Sequence, residues 1–305
     1  MSNLLEKKTI LLTGGTGFLG SNLIERLCTR GANVVALKRQ TSDMWRLNER
    51  NDVVFYNIEE VNFGALLAQH SPDIVVHCAT NYGTKIASIT ELIESNLILP
   101  LKILEAISMG EKIPFINTDT ILDYRINAHS LSKKQFLEWL EFYSEFFPCI
   151  NIKLEHFYGP LDNRSKFCTK VILDLINKVD FIDLTPGMQK RDFIYIDDVI
   201  DAFELLINYG LMIHSGVHHF QLGSGKNLTI RDFVLLIKAL TNNTNTKLNF
   251  GAYPYRTNEI MEYPLDLSAL SLLGWKPLYS LQEGLLKTVG FEEQFLQRDT
   301  KKCDI

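Results

Sequence analysis

Two residues spaced one helical turn apart, His129 and Lys133, have side chains suited to moving a proton. The i, i+4 spacing puts them on one face of a helix. An imidazole with an unperturbed pKa of about 6.5 is a common general acid or base near neutral pH. Because the Lys133 ammonium group lowers the proton affinity of a neighbouring imidazole, we expect imidazolium at His129 to be scarce at neutral pH.

A glycine-rich segment, Gly14 to Gly20 (GGTGFLG), lies between a short apolar run and a helical pattern. Glycines permit a tight turn and a close backbone approach to a pyrophosphate, and the following helix N-terminus offers free N–H groups. An ordinary glycine turn is the alternative interpretation. Because the segment connects a strand to a helix in an N-terminal βαβ unit, we predict a dinucleotide site.

The end of the second predicted strand distinguishes between two nicotinamide cofactors. A carboxylate at this place accepts hydrogen bonds from the adenosine ribose of NAD. This chain has Lys38 and Arg39 there, and two cations suit the 2′-phosphate of NADP. Solvated loop charges are the alternative, since surface charges are common. We predict NADPH/NADP as the cofactor in preference to NAD.

The elements that must position these residues follow from the apolar pattern. Short apolar runs alternate with helical patterns up to residue 146, which predicts a parallel sheet covered on both faces. After Lys153 the connections become longer and richer in Gly and Pro, while Phe193–Leu206 resembles the first half and should return to the sheet. We predict a doubly wound parallel α/β sheet that binds NADP, formed by residues 1–155 plus about 192–222, and a smaller α/β substrate domain, formed by residues 156–191 plus 223–300.

Composition removes several classes of protein. Hydrophobic residues make up 46% and charged residues 22% of the chain, so it is neither disordered nor fibrous. A net charge of −5 argues against a nucleic-acid partner. Five separated cysteines without a CxxC motif favour reduced thiols over a disulfide framework or a zinc site. Without a signal peptide or a long apolar span, we expect a cytoplasmic protein with no membrane partner.

Over nearly its whole length the sequence resembles the extended short-chain dehydrogenase/reductases, the NAD-dependent epimerase/dehydratase family, that act on nucleotide sugars. Taken jointly, the matching motifs are specific for this family and its fold. They are GGTGFLG at 14–20, DIVVHCAT at 73–80, Asn96, SKKQFLEWL at 132–140, Tyr158-Gly159-Pro160, KRDFIYIDDV at 190–199, Leu273-Gly274-Trp275 and Glu283-Gly284-Leu285.

The resemblance implies a hydride exchange at a sugar carbon that is assisted by a Ser or Thr, a Tyr and a Lys. Thr118 matches the hydroxyl residue that hydrogen-bonds the sugar oxygen, and Lys133 matches the lysine that holds the nicotinamide ribose. His129 stands where the motif Tyr-x-x-x-Lys has its proton donor, and Tyr124 is out of register with Lys133. We predict that His129 donates the proton in an altered but working reductase. The alternative is a disabled site in which His129 is a polar pocket residue.

Asp119 completes the predicted catalytic set of Thr118, Asp119, His129 and Lys133. In related sugar 4,6-dehydratases the pattern after the Thr is Asp-Glu, whose carboxylates eliminate water. Here the pair is Asp119-Thr120, and loss of the Glu removes the base that elimination needs. Asp119 is then either a residue that orients the site or a structural residue of the turn.

Binding residues are also implied by the resemblance. For the substrate, a guanidinium fork at Arg191 suits the pyrophosphate, with a salt bridge to Asp192 or Asp197 as the alternative. Thr118, Arg256 and His156 are further substrate-binding candidates, the last two weaker. No metal ligands are predicted. The cofactor-binding residues are Gly14, Thr16, Gly17, Phe18, Leu19, Lys38, Arg39, Asn57, Ile58, Ala79, Thr80 and Lys133.

Within this family the chain looks most like bacterial nucleotide-sugar C4-ketoreductases of the CDP-abequose synthase type. We therefore predict NADPH-dependent reduction of the 4-keto group of a CDP- or dTDP-linked deoxyhexose in surface-polysaccharide (O-antigen, lipopolysaccharide) biosynthesis. A nucleotide-sugar epimerase or dehydrogenase, and a catalytically silent nucleotide-binding protein, are the alternatives. The resemblance also suggests a homodimer through the helices at 91–107 and 132–146, although their apolar residues could equally belong to the core.

Overall fold

The computed structural model describes residues 4–47, 50–83, 88–110 and 112–303, and side chains up to residue 297. The chain divides into two compact units. Unit 1 comprises Met1–Leu154, Ile200–Leu222 and Ser268–Trp275. Unit 2, the smaller one, comprises Glu155–Val199, Gly223–Leu267 and Lys276–Ile305.

Strands and helices largely alternate up to residue 154, as the apolar pattern predicts for the first half of the chain. The strands are β1 (Thr9–Thr13), β2 (Asn33–Lys38), β3 (Val53–Asn57), β4 (Ile74–His77), β5 (Phe115–Thr120), β6 (Cys149–Leu154), β7 (His156–Tyr158), β8 (Phe181–Leu184), β9 (Lys190–Tyr195), β10 (Val217–Leu222), β11 (Asn227–Thr229) and β12 (Lys247–Phe250). The helices are α1 (Phe18–Thr29), α2 (Phe63–His70), α3 (Ile89–Ile93), a π-helical turn (Glu94–Ile98), α4 (Leu99–Ser108), α5 (Ala128–Tyr143), α6 (Phe167–Ile176), α7 (Ile196–Gly210), α8 (Ile230–Leu240), α9 (Ser268–Leu272) and α10 (Leu281–Cys303). No helix among the described residues is both long and apolar enough to cross a membrane.

Unit 1 is built on one parallel sheet with the strand order β10-β6-β5-β4-β1-β2-β3. The order reverses between β1 and β4, which pair in parallel with Thr13 opposite His77. In open sheets of this kind, ligands bind outside the carboxyl ends of the strands at the reversal point. The predicted doubly wound α/β fold is confirmed, and the candidate residues Gly14, Ala79 and Thr118 follow or end strands at this edge.

The core of unit 1 fixes the helices on which the candidate residues lie. α5 packs against β5 and α4 packs against α5, and Ile103, Phe136, Leu140 and Phe115 belong to one core cluster. All four residues are fully buried. Burial of large apolar side chains contributes about 1.5–3 kcal/mol each, so this packing holds α5 firmly beside β5.

Unit 2 has smaller sheets. Its β9 pairs in parallel with β7 and antiparallel with β11, and β8 pairs in parallel with β12. The sequence-based division assigned residues 192–199 to the cofactor domain. In the structure they belong to unit 2, because β9 pairs with β7 and β11 of that unit. Residues 268–275 group with unit 1 because α9 packs against β10.

Candidate active site

The glycine turn between β1 and α1 depends on the absence of side chains at two positions. Gly14 has a φ of +69°, and a Cβ there would lie 2.7 Å from the Ala79 nitrogen. A Cβ at Gly20 would collide with the Gly14 carbonyl oxygen. Gly17 is the N-cap of α1 and offers no side chain to the first helical N–H groups. These groups are oriented for an anion such as a pyrophosphate.

Other residues predicted to contact the cofactor surround this turn. Phe18 and Leu19 are buried in the first turn of α1, whereas Thr16 is half-buried. Ala79 and Thr80 follow β4, and the Ala79 N–H donates to Thr13 Oγ1 at 3.1 Å. The loop after β4 is thereby tied to the strand that leads into the glycine turn.

Cations meet at the end of β2, as the sequence predicts. Lys38 Nζ donates to Asn57 Oδ1 at 2.9 Å, and the Ile58 N–H donates to the Lys38 carbonyl at 2.9 Å. Arg39 is exposed. Sequence reasoning missed Arg46, whose guanidinium lies 4.2 Å from the Trp45 ring centroid. Its Nη1 lies 3.4 Å from the Thr16 carbonyl oxygen, so a third cation reaches the glycine turn.

Thr118 and Lys133 are brought together by β5 and α5. Lys133 is 2% exposed, and its Nζ donates to the Thr118 carbonyl oxygen at 2.8 Å. The Thr118 hydroxyl donates to the His77 carbonyl at 3.0 Å. Burial lowers the pKa of Lys133 to about 8. The geometry therefore holds a lysine that exchanges its proton close to neutral pH against the end of the central strand.

His129 lies in the first turn of α5, because this helix begins earlier than the sequence pattern predicts. The Asn127 side chain accepts a hydrogen bond from the Ser130 N–H at 2.8 Å and starts the helix at Ala128. His129 is 7% exposed, and burial together with the Lys133 charge lowers its pKa to about 4. The imidazole is therefore neutral at pH 7, which disfavours it as a proton donor.

Asp119 is occupied by structural partners. Its buried carboxylate accepts hydrogen bonds from Lys134 Nζ at 2.8 and 2.9 Å, from Asn151 Nδ2 at 3.1 Å and from the Thr120 N–H at 2.7 Å. Lys134 also donates to the Thr120 carbonyl at 2.6 Å. These bonds favour an orienting role for Asp119 over proton transfer. Sequence reasoning missed Lys134, the second lysine of Ser-Lys-Lys, because only Lys133 is four residues from His129.

Tyr82 is a third residue that sequence reasoning missed, after Arg46 and Lys134. It lies in the loop after β4, and its ring centroid is 5.0 Å from that of His129, with the planes inclined by 36°. Its side chain is 57% exposed. In the sequence, Tyr82 is visible only as a tyrosine two residues after DIVVHCAT. Its contact with α5 depends on the conformation of the loop.

The predicted substrate residues Arg191, Arg256 and His156 lie in unit 2. Arg191 forms a salt bridge with Glu259 and donates to the Ile260 carbonyl at 2.7 Å. The alternative of a salt bridge to Asp192 or Asp197 names the wrong carboxylate, since the partner is Glu259. The Asp192 carboxylate accepts hydrogen bonds from the N–H groups of residues 224 and 226. Arg256 is exposed in the segment that carries Glu259.

His156 is exposed at the start of β7. Its Nδ1 lies 3.0 Å from Glu155 Oε2, and its ring centroid lies 5.7 Å from that of Phe193. Glu155 is thus a hydrogen-bond partner of the His156 Nδ1 atom. Within the described part of the chain, no three His, Cys, Asp or Glu side chains are grouped so that they could hold a metal ion.

Residues 10–216 match the NAD dependent epimerase/dehydratase family. A CDP-abequose synthase of Salmonella muenchen is 34% identical to this chain over 297 residues, which cover 94% of this chain and 98% of that protein. A CDP-abequose synthase of Yersinia pseudotuberculosis is 27% identical over 270 residues, covering 83% of this chain and 90% of that protein.

Solved structures show the same fold. The UDP-glucose 4-epimerase of Thermotoga maritima, solved with UDP-glucose, superimposes with a TM-score of 0.82 at 24% identity and covers 94% of this chain and 99% of its own. The enzyme WbmF of Bordetella bronchiseptica, solved with NADH, has a TM-score of 0.82 at 21% identity, covering 99% of this chain and 96% of its own.

Proposed function

We propose, from the premise that this chain belongs to the NAD-dependent epimerase/dehydratase family, that it is an NADPH-dependent reductase. Its substrate is a CDP- or dTDP-linked deoxyhexose, whose 4-keto group it reduces. The observation that carries the proposal is the joint position, within unit 1, of the glycine turn, the dibasic end of β2 and the bonded pair Thr118–Lys133. The similarity to CDP-abequose synthases over nearly the whole chain supports the substrate class.

The glycine turn fits a dinucleotide cofactor, since side chains at Gly14 and Gly20 would collide with backbone and close the turn. When bound, the cofactor supplies a hydride. Lys38 and Arg39 end the strand beside β1, at the place where the adenosine ribose lies in this fold, and their charge favours a 2′-phosphate. Arg46 adds a third cation beside the turn.

The chain's own residues then hold and orient the substrate. The Thr118 hydroxyl, now bonded to the His77 carbonyl, can rotate its hydrogen towards a sugar oxygen. Lys133 holds the nicotinamide ribose and faces away from bulk water. Arg191, with Arg256 and His156 as weaker contributors, binds the pyrophosphate.

Reduction is favoured over dehydration by the state of Asp119. Removal of water across two sugar carbons needs a carboxylate that can accept a proton. Asp119 is bonded to Lys134, Asn151 and Thr120, and the following position carries a threonine rather than a glutamate. An elimination therefore has no carboxylate base in this segment.

The proposal includes a homodimer in the cytoplasm that works in surface-polysaccharide biosynthesis. Three large aromatic side chains at α5 and just after it, Trp139, Phe142 and Phe146, are exposed and contact one another. A neighbouring group of exposed rings of this kind is typical of a contact surface. It supports the helix-mediated dimer that the family resemblance suggests.

The test is NADPH oxidation with CDP- and dTDP-linked 4-keto deoxyhexoses, followed by absorbance. We expect net consumption of NADPH, faster than NADH, and loss of turnover in Lys133→Met. The exposed Lys102 on α4, which pairs with Glu94, gives the matched control Lys102→Met with an unchanged rate.

Two other outcomes would reject the reductase. Tightly retained NAD(H) with interconversion of two hydroxy sugars would identify an epimerase. NADPH binding without turnover of any sugar, in the wild type and in His129→Tyr alike, would identify a catalytically silent protein.

A further inference from the structure

His129 stands at the position of the family's tyrosine, and Tyr82, from the loop after β4, lies beside it. The Tyr82 ring lies beside the ring of His129, with 5.0 Å between centroids. Both residues belong to unit 1. His129 is buried beneath this contact, whereas more than half of the Tyr82 side chain is exposed. The phenol is thus the more accessible of the two rings.

The loop that carries Tyr82 is held by hydrogen bonds at the preceding residue. The preceding residue, Asn81, donates its N–H to Asn96 Oδ1 at 2.7 Å and accepts from Asn96 Nδ2 at 2.8 Å. Asn96 is fully buried in the π-helical turn and also donates to Ser132 Oγ on α5 at 3.0 Å. This network joins the loop to the helix that carries His129 and Lys133, so the place of Tyr82 is set by buried hydrogen bonds.

The two rings differ in the proton they can give. With a pKa of about 4, only about one His129 in a thousand carries imidazolium at pH 7. A phenol keeps its proton at this pH and can donate it as a hydroxyl group. Exposure of Tyr82 also lets the phenolate recover a proton from water after each turnover.

We propose that Tyr82 is the proton donor of the reductase, with His129 as the packed surface that orients its ring; this assignment rests on the proposed function. The step balances with the hydride of NADPH. The hydride adds to the carbonyl carbon of the 4-keto sugar, the carbonyl π bond breaks, and the oxygen takes the hydroxyl proton of Tyr82. NADPH is oxidised to NADP, the ketone is reduced to an alcohol, and the Tyr82 phenolate is reprotonated from solvent.

The experiment compares Tyr82→Phe with Tyr124→Phe. Both substitutions remove only a hydroxyl group, and Tyr124 is similarly exposed at 52% but lies against Arg125, with 5.3 Å from its ring to the guanidinium. We expect kcat of Tyr82→Phe to fall by about 10²–10⁴-fold, the usual contribution of a general acid. The NADPH dissociation constant, measured by fluorescence, should stay within about twofold, because the ring remains in place. The rate of Tyr124→Phe should match the wild type.

Full activity in Tyr82→Phe would overturn the role of Tyr82 and leave the reductase intact. A parallel loss of NADPH affinity would also overturn it, since Tyr82 would then hold the cofactor. A tenfold or larger recovery of kcat in Tyr82→Phe/His129→Tyr, which restores a phenol beside Lys133, would support it. If the wild type oxidises no NADPH with any sugar, the proposed function itself has failed.

Discussion

The two units hold their charged residues in different ways. In unit 1 the Asp119 carboxylate is buried and receives hydrogen bonds from Lys134, Asn151 and Thr120. In unit 2 the Arg191 guanidinium is held by one carboxylate, Glu259, and by backbone carbonyl groups. Both ion pairs are largely buried, with side-chain exposures of 22% and 0% for Lys134 and Asp119 and of 15% and 14% for Arg191 and Glu259. They differ in that Asp119 has several hydrogen-bond donors, whereas Arg191 has one carboxylate partner, which under the proposed function the substrate pyrophosphate replaces.

Under the proposed function, this difference separates fixed residues around Asp119 from an arginine that exchanges its carboxylate partner for the substrate pyrophosphate. A buried charge that loses its partner keeps its full desolvation cost, so the Asp119 network resists change. A guanidinium paired with one carboxylate can exchange it for a phosphate of the same charge and geometry. Under the proposed function, reduction therefore takes place beside fixed residues, and the substrate is bound through an exchangeable ion pair.

The largest expected effect comes from Lys134→Met. The substitution leaves the Asp119 carboxylate buried without its cation, and we expect the free energy of unfolding to fall by about 3 kcal/mol. Urea unfolding measures it. Lys102→Met is the matched control, because Lys102 and Glu94 are both more than half exposed and such pairs contribute about 0–1 kcal/mol. Equal effects of the two substitutions would contradict the distinction between a buried and an exposed pair.

A smaller effect is expected from pH at His129. Its folded pKa of about 4 lies below the ordinary value of 6.5, so the unfolded chain binds the proton first as pH falls. The stability contributed by neutral His129 is complete above about pH 6.5 and is lost as pH falls towards 4. Between pH 7 and 4.5 the wild type should therefore lose about 2 kcal/mol more than His129→Gln.

Chemical denaturation at both pH values measures this difference, and carboxylates cancel because both proteins contain them. His214 is exposed, so His214→Gln should follow the wild type. An identical pH dependence in His129→Gln would show that the imidazole is hydrated or protonated in the folded state.

Much of unit 1 could be predicted because its signals are periodic or local. The alternation of apolar runs gave the parallel sheet, and the glycine spacing gave the turn, whose φ and close contacts admit no side chain at Gly14. The i, i+4 spacing correctly put His129 and Lys133 in one helix, and the family resemblance pointed to Thr118, whose carbonyl Lys133 contacts. Each of these features depends on residues within one element or on the order of elements.

The contacts that sequence reasoning missed join residues far apart in the chain. Asp119 and Lys134 meet because β5 and α5 pack together, and Tyr82 meets His129 because Asn96 clamps a loop. For Arg191, the alternative to pyrophosphate binding was a salt bridge to Asp192 or Asp197, but its carboxylate partner is Glu259. Loops have no periodic residue pattern, so the sequence does not indicate which distant residues they bring into contact.

The smallest expected effect tests the exchangeable pair directly. Glu259→Gln removes the carboxylate that opposes a ligand phosphate and releases the Arg191 guanidinium. We expect the affinity for CDP, measured by calorimetry, to rise about threefold, which corresponds to less than 1 kcal/mol. Arg191→Met should weaken it by about tenfold or more, since a charge-assisted bond contributes about 1.5–3 kcal/mol.

The matched control is Glu262→Gln, the same substitution in the same segment. Glu262 forms an exposed pair with Lys190, and its removal should leave CDP affinity within the error of the measurement. If Glu262→Gln and Glu259→Gln raise affinity equally, the gain comes from net charge alone. A gain confined to Glu259→Gln, and lost when Arg191→Met is added, requires that the anion and Glu259 compete for one guanidinium. That competition would support the proposed role of Arg191 in binding the substrate pyrophosphate.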